Sequence, residues 1–492
     1  MSASRWLLEI FTLLYVIAIT GFVVLERRRP VSTMAWLLAL IFIPGVGLAA
    51  YLVFGRLRVR RRRRRRARQA VHPTLASSQI VPLETPPHSL DEPLRGLVKL
   101  ALNSTDSPLR RCDAVDLLPQ PEKAYEAMEA AMRAAERFIY IEFYIWRDDA
   151  VGNRWIDLLC ERARAGVRVR LLYDDFGCLG TSAALFDRLR QAGGEVRAFG
   201  RLRFRLRLGF QRYNFRNHRK IVVVDGAVGF TGGLNIGDEY IGRVPGARPW
   251  TDLQLRITGD AVLGLHAICL EDWLTTTRET EDMDTSDPRI ESTILAELQD
   301  RPHTRSSGPM IQIIPSGPDL TPGIGIAAQF VAAVASARER CWIATPYFVP
   351  DDSLNLALKT AALRGVDVRI LVPLPRNNDS WLVSLAARSY YDECLDAGCR
   401  IYEFLPGMLH AKVLLVDTTL AAIGSANMDV RSFHINYEIT AMLYDRGVAD
   451  ALAEVFRGHL ARALEVRTET RRHSRLHARL GEAFARMLSP LL

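Results

Sequence analysis

Two stretches of this chain carry the same reactive side chains at the same spacing. The first, Asn217 to Tyr240, reads NHRKIVVVDGAVGFTGGLNIGDEY, and the second, Leu409 to Ser432, reads LHAKVLLVDTTLAAIGSANMDVRS. Each contains His-x-Lys-x4-Asp, six residues, Gly-Gly or Gly-Ser, one residue and Asn. These are His218, Lys220, Asp225, Gly232, Gly233 and Asn235, then His410, Lys412, Asp417, Gly424, Ser425 and Asn427. The set suits phosphate chemistry. Ammonium groups neutralise nonbridging oxygens, and amides donate to them. One imidazole can attack phosphorus while a second protonates the leaving oxygen. Gly233 and Ser425 stand where tight turns can offer backbone N–H groups to a phosphate. Each imidazole also needs a carboxylate to fix its tautomer. Asp252 and Glu438, at comparable distances after the two motifs, are the candidates. Asp225 and Asp417 end their strands, where a structural role is the better reading. A lone His-x-Lys is most simply a solvated strand edge, but two copies with matching Gly and Asn downstream are not.

The elements around the motifs are duplicated too. In a strand alternate side chains share a face, so His218 and Lys220 point together ahead of the apolar Ile221–Val224, as do His410 and Lys412 ahead of Val413–Val416. Upstream, FIYIEFYIWRDD from Phe138 aligns with CWIATPYFVPDD from Cys341 at a constant offset, matching Tyr144 to Tyr347. A helix over 154–164 and a strand over 166–175 follow the first copy. A helix over 354–364 and a strand of the pattern GVDVRILVP follow the second. Strand, helix, strand at this spacing is a βαβ unit with parallel pairing. Two similar α/β halves that share one site are the economical architecture.

Composition places the rest. The chain has 492 residues and a net charge of +9, but residues 56–68 alone hold ten Arg and no acid, so the remainder sums to −1. A local basic patch does not make a nucleic-acid-binding protein. Seven cysteines without a CxxC point to reduced, buried thiols and not to disulfides or a thiolate metal site. There is no Asp-rich cluster and no P-loop, so a reaction without metal or cofactor is expected. Residues 6–25 and 36–54 are two apolar runs of membrane length, the second interrupted by Pro44, Gly45 and Gly47. The Arg run after them places the catalytic part on the cytoplasmic side and suits anionic head groups. Arg27–Arg29, between the two runs, conflict with a simple hairpin, and a re-entrant second segment is the alternative. The Arg/apolar alternation over 201–219 reads equally as a solvated cationic face or as a cationic rim for anionic lipid. The tail from Arg471 carries Leu476, Leu480, Phe484, Met487 and Leu488 at helical spacing. Ordinary packing is favoured for it over a membrane contact. The expected organisation is a membrane anchor (1–68), a linker (69–110), a first half (111–280), a connection (281–308) and a second half with a C-terminal helix (309–492).

These motifs resemble the phospholipase D superfamily, whose hallmark is the duplicated HxKx4Dx6G(G/S)xN. The likeness extends to the bacterial cardiolipin synthases through RRRPVSTMAWLLALIFIPGVGLAAYLVFG, NFRNHRKIVVVDG, FTGGLNIGDEY, GSANMDVRSFHINYE and the terminal SPLL. The resemblance implies two pseudo-symmetric phospholipase D-like halves with mixed sheets flanked by helices, preceded by two membrane helices in the bacterial inner membrane. It implies transfer of a phosphatidyl group between two phosphatidylglycerol molecules, giving cardiolipin and glycerol through a phosphohistidine. His218 would be the nucleophile and His410 the general acid and then base. Lys220, Lys412, Asn235 and Asn427 would hold the phosphate, and Asp252 and Glu438 would orient the imidazoles. The motifs do not separate this transfer from hydrolysis by a phospholipase D. A nuclease of the superfamily is disfavoured by the near-neutral soluble part and the membrane anchor, and a non-catalytic lipid-binding scaffold by the intact paired motifs. The partners expected are phosphatidylglycerol and an anionic membrane, not nucleic acid. The sequence does not set the oligomeric state.

Overall fold

The computed structural model describes residues 3–25, 30–51, 84–86, 90–200, 215–244, 246, 250–281, 296–298, 306–319, 324–472 and 476–489. The Arg run, much of the expected linker and most of the 201–219 alternation lie outside them. The chain divides into two units. In the N-terminal unit the first apolar run is helix α1 (Ala3–Leu25). The second is split into α2 (Pro30–Phe42) and α3 (Pro44–Ala50), because Pro44 has no N–H to continue a helix and sits at the first position of the next one. Val23, Leu40 and Tyr51 pack together, with the Tyr51 ring edge-on to Trp36. Among the described residues, no helix is long and apolar enough to cross a membrane. Many side chains of α1 are outside those residues.

The second unit holds the two halves. It begins with α4 (Glu92–Thr105), β1 (Arg110–Arg111) and β2 (Val115–Leu118). The first half continues through α5 (Pro121–Arg133), β3 (Phe138–Phe143), α6 (Ala150–Arg164), β4 (Arg168–Asp174), α7 (Ala183–Gln191), β5 (Glu195–Phe199), β6 (Ile221–Val224), β7 (Val228–Gly232), β8 (Gln254–Thr258) and α8 (Val262–Glu281). Its seven-stranded sheet runs β2-β8-β7-β6-β3-β4-β5, with β3, β4 and β5 parallel and the rest antiparallel. The second half follows as β9 (Met310–Ser316), α9 (Ile326–Ser336), β10 (Arg340–Ala344), β11 (Phe348–Val349), α10 (Asp352–Leu363), β12 (Asp367–Pro373), α11 (Trp381–Arg388), α12 (Tyr391–Asp396) and β13 (Arg400–Phe404). It ends with β14 (Val413–Val416), β15 (Leu420–Gly424), β16 (Met428–Asp429), α13 (Val430–His434), β17 (Glu438–Tyr444), α14 (Arg446–Leu460), β18 (Ala463–Glu465), α15 (Thr468–Arg472) and α16 (Leu476–Met487). Its sheet is β1-β9-β17-β15-β14-β10-β12-β13-β18. The shared order β8-β7-β6-β3-β4-β5 against β17-β15-β14-β10-β12-β13 is the duplication seen in the sequence.

Local chemistry sets the boundaries. Asp149, Ser182, Asp351, Ser380 and Asp445 each cap a helix by accepting from a first-turn backbone N–H. One cluster joins the halves across their sheets: Ile221, Leu255 and the α8 residues Leu265 and Ile268 pack with Val413, Leu415, Ile439 and α14. Continuous burial of this size makes the two halves one folding body.

Two parts of the expected organisation differ. Residues 92–105, inside the expected linker, are a helix that buries Leu94, Leu97, Val98 and Ala101 on the second half. Gln312 donates to the Val98 and Ser107 carbonyls to hold it. The corresponding place on the first half is an open groove of about 790 Å³ lined by Leu118, Ala130, Ala131, Ala134 and Val228, well away from the histidines. The expected surface connection carries Glu297, which is buried on the first sheet. It accepts from Tyr140 at 2.6 Å and pairs with Arg168 and Arg170.

Candidate active site

The two motif histidines meet at the seam between the halves, and each is held by a carboxylate from the opposite half. Asn217 pairs with Tyr437 and Thr251 with Leu409 in short parallel bridges. His218 N–H donates to the Tyr437 carbonyl at 2.9 Å, and His410 N–H to the Thr251 carbonyl at 2.7 Å. These bridges set each histidine against the residue just before the partner half's carboxylate, Tyr437 before Glu438 and Thr251 before Asp252. His218 Nδ1 faces both oxygens of Glu438 at 2.9 Å, and His410 Nδ1 lies 2.7 Å from Asp252 Oδ2. With Nδ1–H held by a carboxylate, Nε2 of each ring keeps its lone pair for chemistry.

The period-two geometry expected of the His and Lys pairs is present. Lys220 Nζ donates to the His218 carbonyl at 2.6 Å, and Lys412 Nζ donates to that of His410. All six groups are buried, and burial dominates their protonation. It lowers Lys220 to about 7 and Lys412 to about 8, against the pull of Glu438 and Asp252. It raises both Asp252 and Glu438 to about 7, against the pull of the lysines. Burial and then the two ammonium groups push both histidines well below the ordinary imidazole value, so they are neutral.

The Gly/Ser difference between the motifs has a specific cause. A Cβ on Gly233 would lie 2.2 Å from Asp252 Oδ1. In the other half Ser425 Oγ instead donates to Glu438 Oε2. The N–H groups of both residues are taken by the sheets, from Gly233 to the Leu253 carbonyl and from Ser425 to that of Ile439. They are therefore not the phosphate donors expected from the sequence; they shape the carboxylates. Gly233→Ala should displace Asp252 and lower turnover about 10²-fold, the scale for a misplaced catalytic group. Ser425→Gly should lower it only several-fold. A steady-state assay alongside thermal melting would check both, and near-equal effects would contradict the packing argument.

Other expected residues are placed differently. Asp225 accepts from the backbone N–H groups of Glu136, Arg137 and Phe138, and Asp417 from those of Arg338, Glu339 and Arg340. Both adopt positive φ, 52° and 50°, at the hairpin turns, at the far ends of β6 and β14 from the histidines. They are turn residues and not catalytic ones. Asn235 donates from its side chain to Tyr240 Oη at 3.0 Å and accepts from Ile145 N–H. Its amide is largely committed to the loop. Asn427 is buried, and its backbone N–H donates to Ser432 Oγ.

Several residues were not singled out by the motifs. Arg219 lies between His218 and Lys220 in the first motif. Its guanidinium donates to the Glu438 carbonyl, to the Ser316 carbonyl and to Asp272 of α8. It therefore ties the first motif to the strand that carries the second half's carboxylate. Asn217 donates from its side chain to the buried Glu142. The Tyr144 ring stands edge-on to His218 at 4.9 Å, and Trp250 packs 5.0 Å from His410. Two of these had a readable cue: Tyr144 in its match to Tyr347, and Arg219 as the residue between His and Lys that points to the opposite face.

The chain is similar to known proteins over nearly its whole length. The family described as "Cardiolipin synthase, PLD-like domain" matches residues 128–243 and 330–460, and "Phospholipase_D-nuclease N-terminal" matches residues 10–56. Cardiolipin synthase of Geobacillus kaustophilus is 39% identical over 99% of this chain and 94% of its own length. That of Halalkalibacterium halodurans is 36% identical over 99% and 95%. Cardiolipin synthase 2 of Bacillus anthracis is 38% identical over 95% and 88%. Among solved structures, phosphatidylserine synthase of Haemophilus influenzae superposes with a TM-score of 0.60 at 15% identity, covering 82% of this chain and all of that one. It shares the fold.

Proposed function

The chain belongs to the cardiolipin synthases with paired phospholipase D-like domains and is a phosphatidyltransferase acting on phospholipid; from that premise we propose that it joins two phosphatidylglycerol molecules, with His218 as the nucleophile. The observation that carries the residue roles is the pair of neutral imidazoles, each held at Nδ1 by a carboxylate of the other half, with two buried ammonium groups beside them. The His218 Nε2 lone pair attacks phosphorus, and the P–O bond to the headgroup glycerol breaks. His410 donates a proton to that oxygen, and glycerol leaves a phosphatidyl–His218 adduct. His410, now neutral, accepts the hydroxyl proton of a second phosphatidylglycerol. The resulting oxygen attacks phosphorus, and the N–P bond breaks to give cardiolipin and free His218. Lys220 and Lys412 offset charge on the nonbridging oxygens throughout. Burial and then the ammonium field hold His410 neutral in the empty site; the bound phosphodiester anion counters the ammonium field and so favours the proton required of an acid.

Purified protein supplied with phosphatidylglycerol in mixed micelles tests this reading. Cardiolipin and glycerol should form in equal amounts. Phosphatidic acid as the main product would move the assignment to hydrolysis. The apolar residues of 6–25 and 36–54 support attachment of the enzyme to the bacterial cytoplasmic membrane, with the basic run at 56–68 on the inner, anionic side.

The protonation of the empty site predicts a narrow pH profile. Below about 7, Asp252 and Glu438 take up protons and release the imidazoles. Above about 7 to 8, Lys220 and Lys412 lose the charge that binds phosphate. The profile of kcat/KM, which reports the free enzyme, should therefore be a bell with its apex near neutrality. The alkaline limb of kcat should lie higher, because bound phosphate holds the lysines protonated. A flat kcat/KM profile between pH 6 and about 9 would contradict these assignments.

A further inference from the structure

The C-terminal helix α16 is inside out for a surface helix. Its protein-facing side is polar. Glu482 pairs with Arg471 at 2.8 Å and accepts from Arg388, Ala485 is buried, and just past the end of the helix Ser489 meets Tyr390 Oη. Its other side carries Leu476, Leu480, Phe484 and Met487, which are 62% to 76% exposed. Spacings of four, four and three residues place these four on one stripe, opposite the docked face. The packing expected for them from the sequence is therefore absent, and only the polar face packs.

Three further observations say what would cover that stripe. First, α16 packs on α11, whose first residue, Trp381, is 72% exposed. Trp381 stands two residues after Asp379, which accepts from Tyr347 Oη and acts on the protonation of Lys412. Second, α11 follows the C-terminal end of β12, and the exposed Phe176 and Leu179 follow that of β4. The pairing of Glu142 with Ile221 and of Ala344 with Val413 puts those strand ends on the same edge of the sheets as His218 and His410. Third, residues 457–486 hold eight Arg against three Glu, in an enzyme whose remainder outside the 56–68 run is near neutral.

We propose that α16 lies in the interface of an anionic phospholipid bilayer with its apolar stripe inserted, and that together with Trp381 it holds the catalytic edge at the level of the lipid headgroups. An apolar stripe flanked by arginines is the chemistry of an interfacial helix. A phosphatidyl group whose acyl chains remain in the membrane needs the histidines brought to it. The proposal rests on the reading of the enzyme as a phosphatidyltransferase.

The test uses the full chain in vesicles of equal phosphatidylglycerol and phosphatidylcholine. Nitroxides are placed at positions 480 and 484, and as a control at the exposed Glu126 of α5; the seven native cysteines are buried. Labels at 480 and 484 should collide with oxygen in preference to a water-soluble nickel chelate, and the label at 126 should show the reverse. The double variant Leu480→Ser, Phe484→Ser should turn over vesicle phosphatidylglycerol about tenfold more slowly, given the apolar area withdrawn. It should act normally on monomeric short-chain phosphatidylglycerol and keep its melting temperature. Nickel-accessible labels, dipolar broadening that reveals a second copy of the chain over the stripe, or equal losses on both substrates would overturn the proposal. The depth readout needs no turnover, so a wild-type enzyme that made no cardiolipin would overturn the activity reading while leaving the docking to be judged by depth.

Discussion

His218→Ala should abolish cardiolipin formation, with a loss of roughly 10⁵-fold or more, because no other group can form the covalent adduct. His410→Ala should be nearly as damaging on phosphatidylglycerol, since the expelled glycerol oxygen is a poor leaving group without a proton. The two variants separate on a substrate that needs no acid. With a phosphatidyl ester of p-nitrophenol, His410→Ala should release one equivalent of nitrophenol in a burst and then stall as the phosphatidyl–His218 adduct. His218→Ala should show no burst. The opposite pattern would exchange the two roles, which the pseudo-symmetry of the halves makes a real alternative. A burst in neither variant would contradict a covalent mechanism.

The cross-half pairing explains why either loss should be complete. Glu438 belongs to the half that carries His410, and Asp252 to the half that carries His218, yet each serves the other histidine. Neither half contains a working imidazole by itself. Arg219 reinforces this by binding the Glu438 carbonyl from the first motif.

Much of this arrangement was readable because it is local and repeated. The βαβ order, the shared face of His and Lys, and the choice of Asp252 and Glu438 as orienting carboxylates all follow from spacing within one half. The exchange of those carboxylates was not readable, because it depends on two short bridges between residues far apart in sequence, Asn217 with Tyr437 and Thr251 with Leu409. The misplaced expectation for Gly233 and Ser425 has a related cause. A glycine beside a catalytic strand suggests backbone donors, whereas here its missing Cβ makes room for a carboxylate from the neighbouring strand. The residues 92–105 were hidden by the Pro-rich stretch before them, although Leu94, Leu97, Val98 and Ala101 have helical spacing. For α16 the periodicity was correct and the direction was not. Helical spacing of apolar residues identifies a stripe, but the ion pairs of Glu482 with Arg388 and Arg471 decide which side faces the protein.

Lys220→Met should reduce turnover by about 10³-fold, the upper scale for removing one group that stabilises transition-state charge, while leaving the melting temperature at pH 7 unchanged or higher. The second half of that expectation follows from the sign of the shift. Lys220 titrates at about 7 in the folded protein, well below an ordinary lysine. The unfolded chain therefore binds more protons between pH 7 and the ordinary lysine range, and the group's contribution to stability rises with pH across that window. Below pH 7 the ammonium is charged in both states, and its full burial penalty is present. The carboxylates run the other way. Asp252 and Glu438 at about 7 are raised, so the folded state binds the extra protons and their contribution falls as pH rises from the ordinary carboxylate range to 7. Near neutrality the empty site therefore opposes folding from both sides, and replacing the buried ammonium with a methionine of similar shape removes one opposing contribution. Lys220 also pulls Glu438 and Asp252 down, so without it these carboxylates take up protons at higher pH and the acid limb of the residual activity should move to higher pH in the variant. Urea denaturation and a pH–rate profile on the same preparation would check both statements. A marked fall in stability would show that Lys220 holds the seam together, and a loss of only a few-fold in rate would show that it does not meet the phosphate.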